Sequence, residues 1–298
     1  MEKIPVILDT DIGGDIDDTW ALAMMLNSPE LDVRLAVSDV GNTTYRSKLI
    51  ARMLEVAGRS DIPVAVGIET ENRHSSNQLA WVKDYDLDSY PGTVHADGVQ
   101  AIIDTVLASD QKTTLCCIGP VPNIGRALDL APEIVEKVRF VGMHGSLRRG
   151  HNPEDAPIAE CNVVHNTLDC RKAFTQDWDI TITPLDTCAD VILDGELYQQ
   201  VHTCRTPMMK ALMENYRIWA GAHKRDADVP VRSSTLFDTV AVHLCYSEEY
   251  LEMEDLGVRV TDDGFTVIDE TAKTIRCATA WKDLDGFKED LVARLTKN

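Results

Sequence analysis

No apolar stretch in this chain of 298 residues approaches the roughly 20 that a membrane-spanning helix needs, and its eight cysteines form no Cys-x-x-Cys pair. The first absence excludes a helical membrane protein. The second removes zinc-ribbon and dithiol-redox readings from Cys116, Cys117, Cys161, Cys170, Cys188, Cys204, Cys245 and Cys277. Several of these stand in apolar runs and are expected as small buried side chains in a reducing compartment. Positive charge is also scarce: 29 Lys and Arg against 49 Asp and Glu give a formal net charge of −20. Such a chain repels phosphate backbones and anionic lipid, which argues against nucleic-acid and membrane partners and favours a neutral or cationic ligand. Repeats, low-complexity tracts and linkers rich in Pro, Gly or Ser are missing too, so one domain over residues 1–298 is expected. Met1-Glu2-Lys3 leads into a strand rather than a signal sequence, and a cytoplasmic location is expected.

Aspartate, by contrast, is concentrated in one place. Asp9, Asp11, Asp15, Asp17 and Asp18 follow the apolar run Ile4 to Leu8 within ten residues. Carboxylates so close repel one another unless a cation neutralises them. The apolar run reads as a buried strand and Trp20 to Leu26 as a helix that Asp17 or Asp18 could cap, which puts the loop at a strand's carboxyl end. Open α/β sheets bind ligands there. The competing reading is a solvated acidic turn; Gly13 and Gly14 weigh against it, because they let the backbone close tightly around something.

Apolar runs alternate with helical patterns: Val33 to Val37, then Tyr45 to Ala57; Ile62 to Val66; Thr113 to Ile118, then Ile124 to Leu130; Val138 to Met143; Ile180 to Pro184. This alternation predicts βαβ units, hence an α/β fold with an open, mainly parallel sheet flanked by helices. Later, Pro207 to His223 and Leu236 to Leu244 read as helices, Val258 to Ala278 as short strands around an Asp262-Asp263-Gly264 turn, and a last helix starts at Asp283. The polar stretches around 70–95 and 144–158 are long enough to be lids.

As an EF-hand starting at Asp9, the acidic loop fails at its twelfth position, where Trp20 replaces the bidentate Glu. As a dehalogenase-type phosphatase, with Asp9 as nucleophile, it lacks the usual continuation after Asp-x-Asp. The loop resembles instead the signature of the inosine-uridine-type nucleoside hydrolases. The similarity continues through Val40-Gly41-Asn42-Thr43-Thr44, Asp61-Ile62-Pro63-Val64, His95-Ala96-Asp97-Gly98, Gly119-Pro120-Val121-Pro122-Asn123, Ala159-Glu160-Cys161-Asn162 and Leu236-Phe237-Asp238-Thr239-Val240-Ala241.

The resemblance implies a Rossmann-like nucleoside hydrolase fold and a Ca2+ ion held by Asp11, Asp18, Asp238 and the carbonyl of Pro122. It also implies that Asp11 is the base acting on a calcium-bound water, and that Asp17, Asn42, Glu160 and Asn162 hold the sugar hydroxyls. The implied reaction is hydrolysis of ribonucleosides to base and ribose, in nucleoside salvage, by a homodimer or homotetramer. An acidic pocket without a basic clamp favours unphosphorylated nucleosides and stabilises the cationic sugar of the transition state.

The chain departs from the pattern at Phe237, where many relatives carry a His that protonates the departing base, and at Glu154, where an Asn is common. Trp81 and Trp219 are candidates for stacking on the base, and His223 for restoring a proton donor; Tyr216, Trp219 and His223 share one helix face, which equally suits a core stripe. His95, His144 and His151 are expected at the surface. A phosphatase, or a catalytically silent nucleoside- or ribose-binding homologue, stands as the alternative function.

Overall fold

Val6, Ile7 and Leu8 have no exposed surface, and they lie in a strand that is hydrogen-bonded on both edges. The computed structural model describes residues 2–71 and 76–297. Its strands are β1 (Ile4–Thr10), β2 (Leu31–Ser38), β3 (Val64–Ala65), β4 (Val94–His95), β5 (Thr113–Cys117), β6 (Val138–Met143), β7 (Asp179–Thr183), β8 (Ile192–Asp194), β9 (Arg232–Thr235), β10 (Leu251–Val260), β11 (Thr266–Ile268) and β12 (Thr274–Trp281). Ten of them form one sheet in the order β11-β10-β12-β7-β6-β5-β1-β2-β3-β4, while β8 and β9 pair separately. From β4 to β12 every pairing is parallel; β10 runs antiparallel to both β12 and β11. Parallel pairing needs crossover segments, and helices supply them.

Those helices are α1 (Asp17–Leu26), α2 (Thr43–Val56), α3 (Leu79–Val82), α4 (Gly98–Ala108), α5 (Pro122–Leu130), α6 (Cys161–Val164), α7 (Thr167–Phe174), α8 (Leu185–Cys188), α9 (Gly195–Thr203), α10 (Pro207–Ala222), α11 (Phe237–Leu244) and α12 (Leu284–Leu295). They bury both faces of the sheet. Val6 and Leu8 join one apolar layer with Trp20 and Tyr216, whereas Ile7 joins the other with Val37 and Ile102. This alternation of period two carries past the core. Asp9 turns to the α5 side, where Asn123 Nδ2 donates to it at 2.8 Å, and Thr10 turns to the α1 side, where its hydroxyl donates to Asp18 at 2.5 Å.

The chain leaves β1 for β2, β3 and β4 on one side, then returns to build β5, β6 and β7 on the other. The loops after β1 and β5 therefore part at a topological switch point, where an α/β sheet opens a crevice.

Two expectations about local structure change. Ile16, not an aspartate, stands at the N-cap of α1 and makes no side-chain cap; Asp17 and Asp18 fall in its first turn, where the helix dipole favours negative charge. Gly13 is required, with φ of +103° and the side chains of Tyr45 and Leu49 where a Cβ would go, but Gly14 has nothing closer than 3.7 Å to such a Cβ. Residues 72–75 of the first expected lid lie outside the described residues.

Candidate active site

Asp11, Asp15, Asp17, Asp18, Ile118, Met143, His151, Glu160, Asn162, Leu185, His223, Phe237 and Asp238 line one cleft of about 430 Å³ above the switch point, with Gly14, Asn77 and Cys161 at its edges. Its floor is buried: Asp17, Asp18 and Asp238 are each under 5% exposed and Glu160 is 3%. His151 and His223 at the rim are exposed, and Phe237 is half-buried.

Asp17 and Asp18 come from the first turn of α1 and Asp238 from the first turn of α11, two helices that pack together. One carboxylate oxygen from each lies within 4.8 Å of the others. Burial, reinforced by neighbouring carboxylates, raises all three pKa values well above the ordinary range. Part of the rise at Asp238 comes from the charges of Asp17, Asp18 and Asp11 beside it. Asp11 lines the same cleft outside this trio, with Oδ2 at 3.8 Å from the Arg46 guanidinium.

This donor set is all oxygen, and it fits a hard divalent cation. Burial chiefly raises Asp9 to about 7 as well, and Asp39 well above its usual value.

Glu160, the N-cap of α6, accepts from the backbone N–H of Asn162 at 2.8 Å, Gly145 at 2.9 Å and Val163 at 3.3 Å. Burial outweighs these bonds and raises its carboxyl to about 7. Asn162 spends both amide hydrogens on the ends of two strands, donating to the Met143 carbonyl at 2.9 Å and the Ile118 carbonyl at 3.2 Å. Its carbonyl oxygen remains the group with capacity to accept from a ligand hydroxyl.

The loops themselves are clamped by Arg46, which is 1% exposed and donates to the carbonyls of Val40 at 2.8 Å and Ile12 at 2.7 Å. Val40 has a φ of +40°, a strained conformation for a β-branched residue, and Arg46 holds it there. Gly119 follows β5 so closely that a Cβ would lie 2.9 Å from the Asp11 nitrogen. Behind them Asn123 ties Asp9 to the Ser38 carbonyl.

The structure thus brings together Asp11, Asp17, Asp18, Glu160, Asn162, His223, Phe237 and Asp238 from the residues singled out in the sequence. It does not bring Asn42, Pro122, Trp81 or Trp219 to the cleft wall. The Asn42 side chain is exposed and caps α2 by accepting from Tyr45 N–H at 2.9 Å. Pro122 is buried at the start of α5, where its fixed φ suits a first helical residue. Trp81 is not a base-stacking residue of this cleft: it lines a different cavity, under the Arg52 guanidinium and donating to Glu214 at 3.2 Å. Trp219 is 3% exposed and stacks on Tyr216, as a core stripe does.

Of the histidines expected at the surface, His144 is not there, and His151 is exposed but lines the cleft. His144 is fully buried against Phe140 and Phe174, and burial lowers its pKa to about 3; His151 lines the cleft with its ring against Phe237. His95 and Glu154 are exposed. Sequence reasoning missed Arg46, whose only signal was a charge within the otherwise helical Tyr45 to Ala57 pattern. It also missed Thr10, Asp39 and Asn77, none of which carries a local signal.

The model of the family "Inosine-uridine preferring nucleoside hydrolase" matches residues 6–289. The chain is 30% identical to the non-specific ribonucleoside hydrolase RihC of Klebsiella pneumoniae subsp. pneumoniae, over 72% of this chain and 73% of that protein. It is 28% identical to the pyrimidine-specific ribonucleoside hydrolase RihA of Citrobacter koseri, over 98% of each. Among solved structures, a plant nucleoside hydrolase superposes with a TM-score of 0.85 at 22% identity, covering 100% of both chains.

Proposed function

The chain belongs to the inosine-uridine preferring nucleoside hydrolase family, and on that premise we propose that it hydrolyses the N-glycosidic bond of unphosphorylated ribonucleosides with the help of a calcium ion. Membership overturns the phosphatase alternative. The observation that carries the rest is the buried trio of Asp17, Asp18 and Asp238 beside Asp11, at the floor of a cleft large enough for a nucleoside.

Asp18 and Asp238, with Asp11 and Asp17 alongside, are the residues that would hold the ion, and the Pro122 carbonyl would have to reach it from the start of α5. When bound, calcium supplies the positive charge that makes a water easier to deprotonate and that attracts the sugar hydroxyls. Asp11 takes the proton from the attacking water. Glu160 and Asn162 receive the sugar's hydroxyls, which selects ribose and orients its anomeric carbon. As the glycosidic bond lengthens, positive charge grows on the sugar ring, and the surrounding carboxylates stabilise it. The reading extends to a role in nucleoside salvage in the cytoplasm, by a single-domain chain assembled as a homodimer or homotetramer. No helix among the described residues is long and apolar enough to cross a membrane.

A reducing-sugar assay across purine and pyrimidine ribonucleosides, with and without chelator, tests this reading. Release of ribose that stops in chelator and resumes with calcium is expected. Calorimetric binding of intact nucleosides with no sugar released would leave the silent-homologue alternative standing instead.

A further inference from the structure

Cleavage of a glycosidic bond leaves an electron pair on the base, and a proton delivered there commonly contributes about 10²- to 10⁴-fold. The described floor of the cleft supplies only carboxyl groups and amides. Among the described residues two imidazoles stand at the rim, His151 and His223, and their hydrogen bonding separates them.

His223 is already engaged on both nitrogens. Its Nδ1 lies 2.9 Å from the Trp219 carbonyl, an acceptor only, so Nδ1 carries the hydrogen. Its Nε2 lies 3.4 Å from Asn77 Nδ2. That Asn77 atom also donates to the Gly14 carbonyl at 2.8 Å, which identifies it as the amide nitrogen, a donor only. Nε2 therefore faces a donor as an acceptor. His223 works as a tie between the end of α10 and the loop carrying Asn77.

His151 is differently placed. Its ring meets Phe237 edge to face, 5.7 Å between centroids, and its nitrogens find no hydrogen-bond partner among the described residues. Its loop is nevertheless anchored: Leu147 and Arg148 N–H donate to the Asp186 carboxylate at 2.9 and 2.8 Å, and Arg149 pairs with Asp190 at 2.7 Å. Phe237 precedes Asp238, so the ring that braces His151 is covalently next to the acidic floor.

We propose that His151, steered by the Phe237 ring, is the acid that protonates the departing base. This rests on the nucleoside hydrolase reading above. The sugar–nitrogen bond breaks with its electron pair passing to the base, and a ring nitrogen or oxygen of the base takes the proton of the His151 imidazolium. The water oxygen bonds to the anomeric carbon and gives its proton to Asp11. Exchange with solvent then returns one proton from Asp11 and restores one to His151, so the net reaction is nucleoside plus water to ribose plus neutral base.

The test compares inosine with 4-nitrophenyl β-D-ribofuranoside, whose phenolate departs without protonation. His151→Asn is expected to lower kcat on inosine by about 10²- to 10⁴-fold and on the nitrophenyl riboside by at most about tenfold. An equal fall on both substrates, or no fall on inosine, would overturn the assignment. So would a selective loss on inosine in His223→Asn when His151→Asn is normal. Wild-type protein that releases no sugar from any nucleoside would remove the underlying reading itself, whereas active wild type with an unaffected His151→Asn removes only the acid. Since His151 is exposed, both variants are expected to fold, with unchanged thermal unfolding as the control.

Discussion

Replacing Glu160 with Gln should make the cation-free protein more stable at alkaline pH while impairing its function. In protein stripped of divalent ions, burial raises the Glu160 carboxyl from 4.5 to about 7. Because the folded value lies above the unfolded one, the group's stabilising contribution is whole below pH 4.5 and is lost as the pH rises through about 7. At about 1.4 kcal/mol per unit, the loss is on the order of 3 kcal/mol. Gln resembles the protonated acid, with one accepting oxygen and hydrogens on the other atom. The conflict it meets at the Asn162, Gly145 and Val163 N–H groups is therefore one that the protonated carboxyl meets already. Glu160→Gln should match wild type near pH 4.5 in chelator and exceed it by roughly 3 kcal/mol near pH 8. Losing a charged acceptor for a sugar hydroxyl should lower kcat/KM roughly 10- to 100-fold. Urea unfolding across that pH range gives the comparison. Two stability curves that stay parallel would refute the claim that a buried charge at Glu160 is retained at the expense of stability.

Other outcomes follow from the same geometry. Asp11→Asn should abolish turnover, read by reducing-sugar release, while retaining sugar binding in calorimetry; full activity would remove its role as base. Free calcium at about 1,000 times its Kd should stabilise the chelator-treated protein by about 4 kcal/mol, which for a chain of this size is a Tm rise of roughly 6 °C. Asp238→Ala should lose that calcium-dependent rise, since the trio is then broken. Trp81→Phe should leave kcat/KM within about twofold, because Trp81 lines a cavity outside the cleft, and cost about 1–3 kcal/mol in unfolding, as the smaller ring gives up the hydrogen bond to Glu214, buried contact and part of the Arg52 stacking.

The sheet was legible in the sequence because a parallel strand buried on both faces is written as an unbroken apolar run, as at Ile4 to Leu8 and Val138 to Met143. The Asp262-Asp263-Gly264 turn was legible for a local reason: it joins β10 to β11, with Gly264 at φ +86°. The two-residue strands β3 and β4 are too short to show a period. At the site, the crowding of aspartates in one loop announced a cation, but which of them converge depends on where α1 begins. Ile16 rather than an aspartate takes the N-cap, so Asp17 joins Asp18 and Asp238. Arg46 and His144 read locally as a helix-surface charge and a loop histidine, and only tertiary packing buries them. Trp81 was misplaced because its partner, Glu214, is 133 residues away.

The most direct measurement of the central claim is a crystal structure of the protein grown with calcium and ribose. The account predicts one ion at the cleft floor, with oxygens of Asp11, Asp18 and Asp238 at ~2.3–2.6 Å and the sugar between it and Glu160. A floor that stays free of calcium at saturating concentration would contradict it.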